Sequence, residues 1–232
     1  MSAAIAIFVK TPGHSPIKTR LARTIGAAEA EDWYQRALTA VVEAVDTTTR
    51  ARAGLSAYFA VAESAALDAD IWQGLPRVAQ GEGDLGSRMA KVHADLVAAH
   101  GAAILIGADL PQLDPADLLK ACAWLADPAP RQVLGPAFDG GFWLYGSNRP
   151  IAQGHWRAVE YSSASTAQRF IAEFDGFGAW LSLPQRQDLD QISDWARCLR
   201  ELRALPAPGP AQRGLARSMA ARVLLRVAAA RQ

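Results

Sequence analysis

The chain has 232 residues, half of them hydrophobic and a fifth charged, with a formal net charge of +1. That length holds one large α/β domain or two small ones, and a chain of this size buries most of its apolar surface. The near-neutral balance removes any global electrostatic reason to expect nucleic acid or stable membrane insertion. It is unevenly spread, however: from Pro206 onward there are five arginines (Arg213, Arg217, Arg222, Arg226, Arg231) and no acid. Cys122 and Cys198 lie far apart without a C-x-x-C pair, which reads as two reduced, buried thiols in a cytosolic protein. The apolar start "AAIAIFV" is too short for a signal peptide or a membrane span, so a cytoplasmic location is expected.

Taken in chain order, Ala3–Val9 is a nearly continuous apolar run, as in a parallel strand buried on both faces. Residues 27–48 place Trp33, Ala37, Leu38, Val41, Val42 and Val45 on one helical stripe. Leu55–Val61 reads as a strand, residues 63–70 as a short helix, and residues 77–80 as an extended piece. Residues 84–100 are amphipathic through Leu85, Met89, Val92, Leu96 and Val97, leaving His93 and His100 as surface or edge residues. Residues 102–107, "AAILIG", form the most apolar strand, and Asp114-Pro115 opens a helix as N-cap and first position. Strands at 132–134 and 142–145 flank "GPAFDGG"; helices near 165–174 and 190–205 enclose a strand at 179–183. This alternation predicts an α/β fold, a mainly parallel central sheet with helices on both faces. The stretch "PAPGP" marks a boundary between residues 1–205 and a basic helix within 206–232. Its apolar stripe, Leu215, Met219, Val223 and Val227, suits docking on the domain or a homodimer better than lying on a membrane.

In open sheets of this kind ligands bind beyond the carboxyl ends of the strands, and five unusual loops fall there. "KTPGHSPIKTRL" leaves the first strand carrying Lys10, Lys18 and Arg20, which with backbone N–H groups would suit phosphate oxygens. It matches neither the Walker A nor the dinucleotide glycine pattern, and by itself it reads equally as a solvated turn. Asp109, in Gly107-Ala-Asp-Leu-Pro111, ends the strongest strand with a carboxylate suited to a divalent metal. Asp139-Gly140-Gly141 lets backbone approach a ligand closely, although a hairpin turn would use the same residues. "QGEGDLGSRM" sets Gly83 and Asp84 ahead of a helix whose N-terminus suits an anion, with Arg88 one turn in. Asp188 and Asp190, two apart in an extended segment, can share a metal, or Asp190 can cap the helix after it. Basic groups on one side and carboxylates on the other are what metal-assisted attack at a phosphate requires. The four histidines show no metal-ligand spacing, and no G-x-S-x-G elbow occurs.

The order K-x-P…K-T-R-L, Q-G-E-G-D-L-G-x-R-M, G-A-D-L-P-x-L, G-P-x-x-D-G-G-F and a late D-x-D resembles the bacterial DUF2064 family. That family is placed among nucleotide-diphospho-sugar transferases and sometimes labelled a glycosyltransferase of arsenosugar biosynthesis. The resemblance runs from Ala3 to about Arg203 and implies a GT-A-like fold, shared with 2-phospholactate guanylyltransferase. It further implies that Lys18 and Arg20 bind phosphate, that Asp109, Asp188 and Asp190 hold Mg²⁺ or Mn²⁺, and that Lys18, Arg20 and Asp109 serve catalysis. Gly83 and Asp84 then face the nucleotide, and Asp139, Gly140 and Gly141 lie near the acceptor. One departure is local: Ser15 stands where the family pattern has a glycine, and Ser15-Pro16 stiffens the loop. The implied reaction is glycosyl transfer from a nucleotide sugar to a small acceptor. The alternatives are nucleotidyl transfer from a nucleoside triphosphate with pyrophosphate release, and a non-catalytic nucleotide-binding module.

Overall fold

The computed structural model describes residues 2–229, with side chains as far as Arg222. Seven strands form one sheet: β1 (Ala3–Val9), β2 (Leu55–Val61), β3 (Arg77–Ala79), β4 (Ala103–Gly107), β5 (Arg131–Pro136), β6 (Phe142–Ser147) and β7 (Ala179–Ser182). Their order is β3-β2-β1-β4-β6-β5-β7. All neighbours are parallel except that β6 runs antiparallel to both β4 and β5. That single reversal brings the loop between β5 and β6 to the edge where β1 and β4 end. The segment after β7 arrives at the same edge, because β7 is parallel to β5.

The strand pleat sorts the core into two layers. Ile5, Ile7 and Val9 of β1 and Ile104 and Ile106 of β4 face α2 (Ala27–Ala51) and α4 (Pro115–Leu125). Ala4, Ala6, Ala103 and Leu105 face the other way, onto α3 (Leu85–His100), α5 (Gln153–Ala158) and α6 (Thr166–Glu173). A third cluster packs α1 (Thr19–Ile25), α7 (Trp195–Ala204) and the start of α8 (Pro210–Ala229) outside α2, around Trp33, Trp195, Leu215 and Met219. The basic C-terminal segment is thus helical from Pro210 and docked through the first half of its predicted stripe. The side chains of Val223, Arg226 and Val227, and Arg231 altogether, lie outside the described residues.

Several sequence expectations need correction. The short helix at 63–70 is instead two single 3₁₀ turns, Ser64–Ala66 and Asp70–Trp72. The helices α1 and α5 were not anticipated: the first is seven residues long and the second six. The final predicted helix starts at Trp195 rather than Asp190. Gln191 and Asp194 cap each other's backbone at a 3₁₀ turn there, so Asp190 is not the cap. Cys122 and Cys198 are buried free thiols, as expected.

His93 is fully buried, not a surface residue. Its Nε2 lies 2.9 Å from the Ser147 hydroxyl, and its ring packs against Tyr145 and Trp156. Burial pushes its pKa down to about 3. The folded chain therefore refuses a proton that the unfolded chain takes up below its ordinary value of 6.5. Stability from this group is complete above that value and falls by about 1.4 kcal/mol per pH unit as pH drops toward 3. Denaturant titrations at pH 7 and pH 5 should differ by roughly 2 kcal/mol more in the parent than in His93→Gln, which keeps a partner for Ser147.

Candidate active site

The loop after β1 is built before it is charged. Thr11 is buried, and its carbonyl accepts from the N–H groups of His14 and Ser15 to fold the first turn. Its own N–H donates to Glu63 Oε2 at 2.8 Å, from the loop after β2. Burial would raise the Glu63 carboxyl pKa, but hydrogen bonds from Ser15 and Thr11 outweigh it and hold the group below its ordinary value. The Tyr34 hydroxyl, on α2, accepts from Lys10 N and donates to Lys10 O. Trp72 Nε1 donates to Thr11 Oγ1 at 3.3 Å. The loop is thus clamped from three elements that its own sequence does not reveal.

It ends at Lys18, the residue before α1, whose φ of 45° and ψ of 46° put a non-glycine residue in the left-handed region. Such a conformation persists only where surroundings impose it. The lysine side chain is 7% exposed, and its ammonium donates to Asp109 Oδ2 and, at 2.7 Å, to Asp190 Oδ1. Burial alone would lower the Lys18 pKa; the charges and hydrogen bonds of Asp109 and Asp190 override it and raise the pKa above its ordinary value. Lys10, Lys18, Arg20, Asp109 and Asp190 line one cleft of about 300 Å³ at the carboxyl ends of β1 and β4.

A second cleft of about 440 Å³ adjoins it and shares Phe8, Arg20, Gly107 and Asp190. Asp139, Gly141 and Asp188 face it. Asp139 Oδ1 accepts from Gly141 N at 2.9 Å, which fixes the carboxylate over its own turn. Asp188 Oδ1 is sealed from solvent with no hydrogen-bond partner among the described residues. Burial, then the charges of Asp109, Asp190 and Asp139, push the Asp188 carboxyl well above the usual carboxylate range, with Lys18 opposing.

The remaining sequence candidates lie elsewhere. Asp84 caps α3, accepting from Ser87 N at 2.7 Å, and that bond holds its carboxyl below the ordinary value. The cap places a carboxylate at the helix start, where it offsets the positive end of the helix dipole. Arg88 donates to the Gly83 carbonyl at 3.0 Å, and Leu85 and Met89 rather than Gly83, Asp84 or Arg88 reach the second cleft. The motif's Gln80 is buried and structural, donating to the carbonyls of Ala60 and Val9. Gly86 is required because a side chain there would strike the Trp156 carbonyl and the Tyr161 ring.

Gly140 is likewise required by contacts within the protein. Its φ is 90°, a Cβ would meet the Ala164 backbone, and its carbonyl accepts from Ala167 N at 2.8 Å. Gly140→Ala combines left-handed strain with overpacking. It is expected to cost about 2–4 kcal/mol, read as a lowered denaturation midpoint, whereas exposed Gly154→Ala should not. The loop that Gly140 rests on, residues 161–166, forms a wall of the second cleft with Tyr161, Ser162 and Ser163. Ser162 has φ 62° and, with Lys18, is one of two non-glycine residues at positive φ among the described residues. Nothing in "YSSAST" distinguishes this wall from an ordinary serine-rich helix entry. Phe142 and the edge of the buried Trp143 also line the cleft, while Tyr145 lies wholly in the core.

The donor set bears on a metal in two ways. Asp109, Asp188 and Asp190 offer hard oxygen ligands of the kind Mg²⁺ and Mn²⁺ prefer, and the orphaned Asp188 oxygen is an acceptor awaiting a positive partner. Yet Lys18 draws on two of the three carboxylates, and no ready-made group of three metal-binding side chains occurs among the described residues. The carboxylates fit a divalent cation in chemistry, with Lys18 as its rival for them.

The family model described as "Uncharacterized protein conserved in bacteria (DUF2064)" matches residues 41–163, just over half the chain. That span includes Asp84, Asp109 and Asp139 but neither the Lys10–Arg20 loop nor Asp188 and Asp190. No curated protein matches the chain. Among solved structures, a provisionally named nucleotide-diphospho-sugar transferase from Desulfovibrio desulfuricans G20 is similar at 24% identity and TM-score 0.80, covering 95% of this chain and 96% of that one. A nucleotidyl transferase from Methanothermobacter thermautotrophicus is similar at 13% identity and TM-score 0.52, over 87% and 98%. These likenesses establish the fold: a mainly parallel α/β sheet shared with the Desulfovibrio structure over nearly the whole of both chains. Among the described residues no helix is long and apolar enough to cross a membrane.

Proposed function

Since the chain belongs to the bacterial DUF2064 family, we propose that it is a transferase acting on an activated nucleotide, moving a glycosyl group from a nucleotide sugar to a small acceptor. The observation that carries this reading is the pair of adjoining clefts that meet at Asp190 and Arg20. One gathers cations for a diphosphate, and the other leaves room for an acceptor. An ammonium has three N–H donors; the carboxylates of Asp109 and Asp190 take two of those on Lys18. The third is available to a phosphate oxygen, with Lys10 and Arg20 on the same wall.

In this reaction the acceptor hydroxyl oxygen bonds to the anomeric carbon as the bond from that carbon to the diphosphate breaks. The electron pair leaves on the nucleoside diphosphate, and the hydroxyl proton passes to the carboxylate of Asp139, which lines the second cleft and is not among the proposed metal ligands. Lys18 and Arg20 stabilise the charge that grows on the leaving oxygens. Asp109, Asp188 and Asp190 would hold Mg²⁺ or Mn²⁺, which when bound supplies Lewis-acid stabilisation of the leaving diphosphate.

Nucleotidyl transfer is the second reading, favoured by the three cations of the first cleft, which suit a triphosphate tail. The two reactions differ in what they release. Incubation of the full chain with each nucleoside triphosphate and with a set of nucleotide sugars, with Mg²⁺, Mn²⁺ or chelator, separates them. Nucleoside diphosphate is expected and pyrophosphate supports the second reading; release of neither, with no nucleotide bound by calorimetry, overturns the transferase reading.

A further inference from the structure

The second cleft has a charge pattern that constrains what can enter it. Its side walls are apolar, from Phe8, Leu85, Met89, Phe142 and Tyr161, and Ser162 and Ser163 supply hydroxyls. Asp139, Asp188 and Asp190 also line it. The one cation on its lining, among the described residues, is Arg20, which also lines the first cleft and stands at the border between them. Arg157 lies 4.0 Å from Asp84 and outside the lining.

Across both clefts three cations, Lys10, Lys18 and Arg20, face four carboxylates, Asp109, Asp139, Asp188 and Asp190. A divalent metal would turn this into a small positive excess, which the diphosphate of a bound donor more than cancels. Nothing positive then remains for a second anion. A phosphate or carboxylate on the acceptor would be set among like charges, and like-charge juxtaposition is an effective form of exclusion at a binding site. Carboxylates and serine hydroxyls are instead good partners for hydroxyl groups. Aromatic and aliphatic walls suit the C–H face that a polyol ring presents.

We propose that the second cleft selects an acceptor that is rich in hydroxyls, has an apolar face and bears no phosphate or carboxylate, as an uncharged sugar does. This deepens the transferase reading and rests on it for the word acceptor, but the selectivity of the cleft is measurable without turnover. Selection here is by repulsion, and it rests mainly on Asp139 and on the absence of a cation at Ser162.

The test uses the full chain and matched pairs: glucose with glucose 6-phosphate, mannose with mannose 6-phosphate, and glycerol with glycerol 3-phosphate. Binding is followed by ligand-observed NMR without nucleotide, and transfer is followed separately with whichever nucleotide the protein binds. At least one uncharged member is expected to bind, and to accept, at least tenfold better than its phosphate. Ser162→Arg should narrow or reverse that gap, because the exposed position gains a cation at the cleft mouth. Asp139→Asn, which keeps the oxygen that accepts from Gly141 N, should narrow it severalfold. A phosphorylated member bound preferentially by the parent overturns the proposal, as does discrimination unchanged in both variants. If nucleotides fail to bind while the uncharged sugars still outcompete their phosphates, the transferase reading falls and the selectivity stands.

Discussion

Lys18→Met is expected to lower transfer by about 10²–10³-fold, the loss typical when a preorganised donor to developing charge is removed. Methionine nearly matches the lysine stem in length and keeps the apolar contacts, so the difference is the ammonium. Two consequences follow from where that ammonium sits. Removing it deprives a phosphate of a donor, which should weaken nucleotide affinity by at least tenfold in calorimetry. It also leaves Asp109 and Asp190 without their shared cation, beside Asp188, whose Oδ1 has no partner among the described residues. Breaking a fully buried pair costs about 3–5 kcal/mol. Here Asp109 and Asp190 are 29% and 38% exposed, so solvent screens them and about 1–3 kcal/mol is expected. Lys18→Arg should not restore activity: a planar fork cannot replace a compact ammonium held between two carboxylates. Added Mg²⁺ should recover stability in Lys18→Met more than in the parent, because the ion then meets carboxylates freed of their rival. Transfer by Lys18→Met within fivefold of the parent would remove Lys18 from the reacting centre.

The parts of this structure that were legible in the sequence are those set by neighbouring residues. Asp114-Pro115 caps and opens α4 as read, with Asp114 Oδ1 accepting from Ala116 N, because capping is a contact across two residues. The apolar run before Gly107 became β4 at the centre of the sheet. What was lost depends on distance along the chain. His93 stands on the same helical stripe as Met89, Val92 and Leu96; its polar side chain suggested exposure, and only Ser147, 54 residues away, explains its burial. Asp190 resembled a helix cap until Lys18, 172 residues distant, claimed its oxygen. The reversal of β6 leaves no trace in its own composition, yet it carries Asp139 to the edge where Asp109 stands. The wall at residues 161–166 was invisible for the same reason: its place follows from α6 docking against the Gly140 turn.

Asp188→Asn should stabilise the protein and abolish its reaction. The Asp188 carboxyl is pushed above its ordinary range by burial and by three neighbouring carboxylates, with Lys18 opposing. A carboxyl whose folded pKa is raised favours the folded state below about pH 4. It loses that contribution as pH climbs through the gap between the unfolded and folded values. Above that raised pKa the parent holds a carboxylate that would be more comfortable in water. Asparagine has the same shape, carries no charge at any pH, and its amide brings donors to a neighbourhood of acceptors. Exchanging a buried charge for a neutral group of like volume commonly stabilises by about 1–4 kcal/mol, and about 1–3 kcal/mol is expected here at pH 8. The gain should shrink toward zero at pH 4, where the parent carboxyl is itself protonated. The cost appears in function, since an amide does not neutralise a divalent cation. Mn²⁺ should raise the melting temperature of the parent and leave that of Asp188→Asn nearly unchanged. Should Asp188→Asn prove less stable than the parent at pH 8 without metal, Asp188 would be a structural anchor, and the acceptor cleft would have to be rebuilt around Asp139 and Asp190 alone.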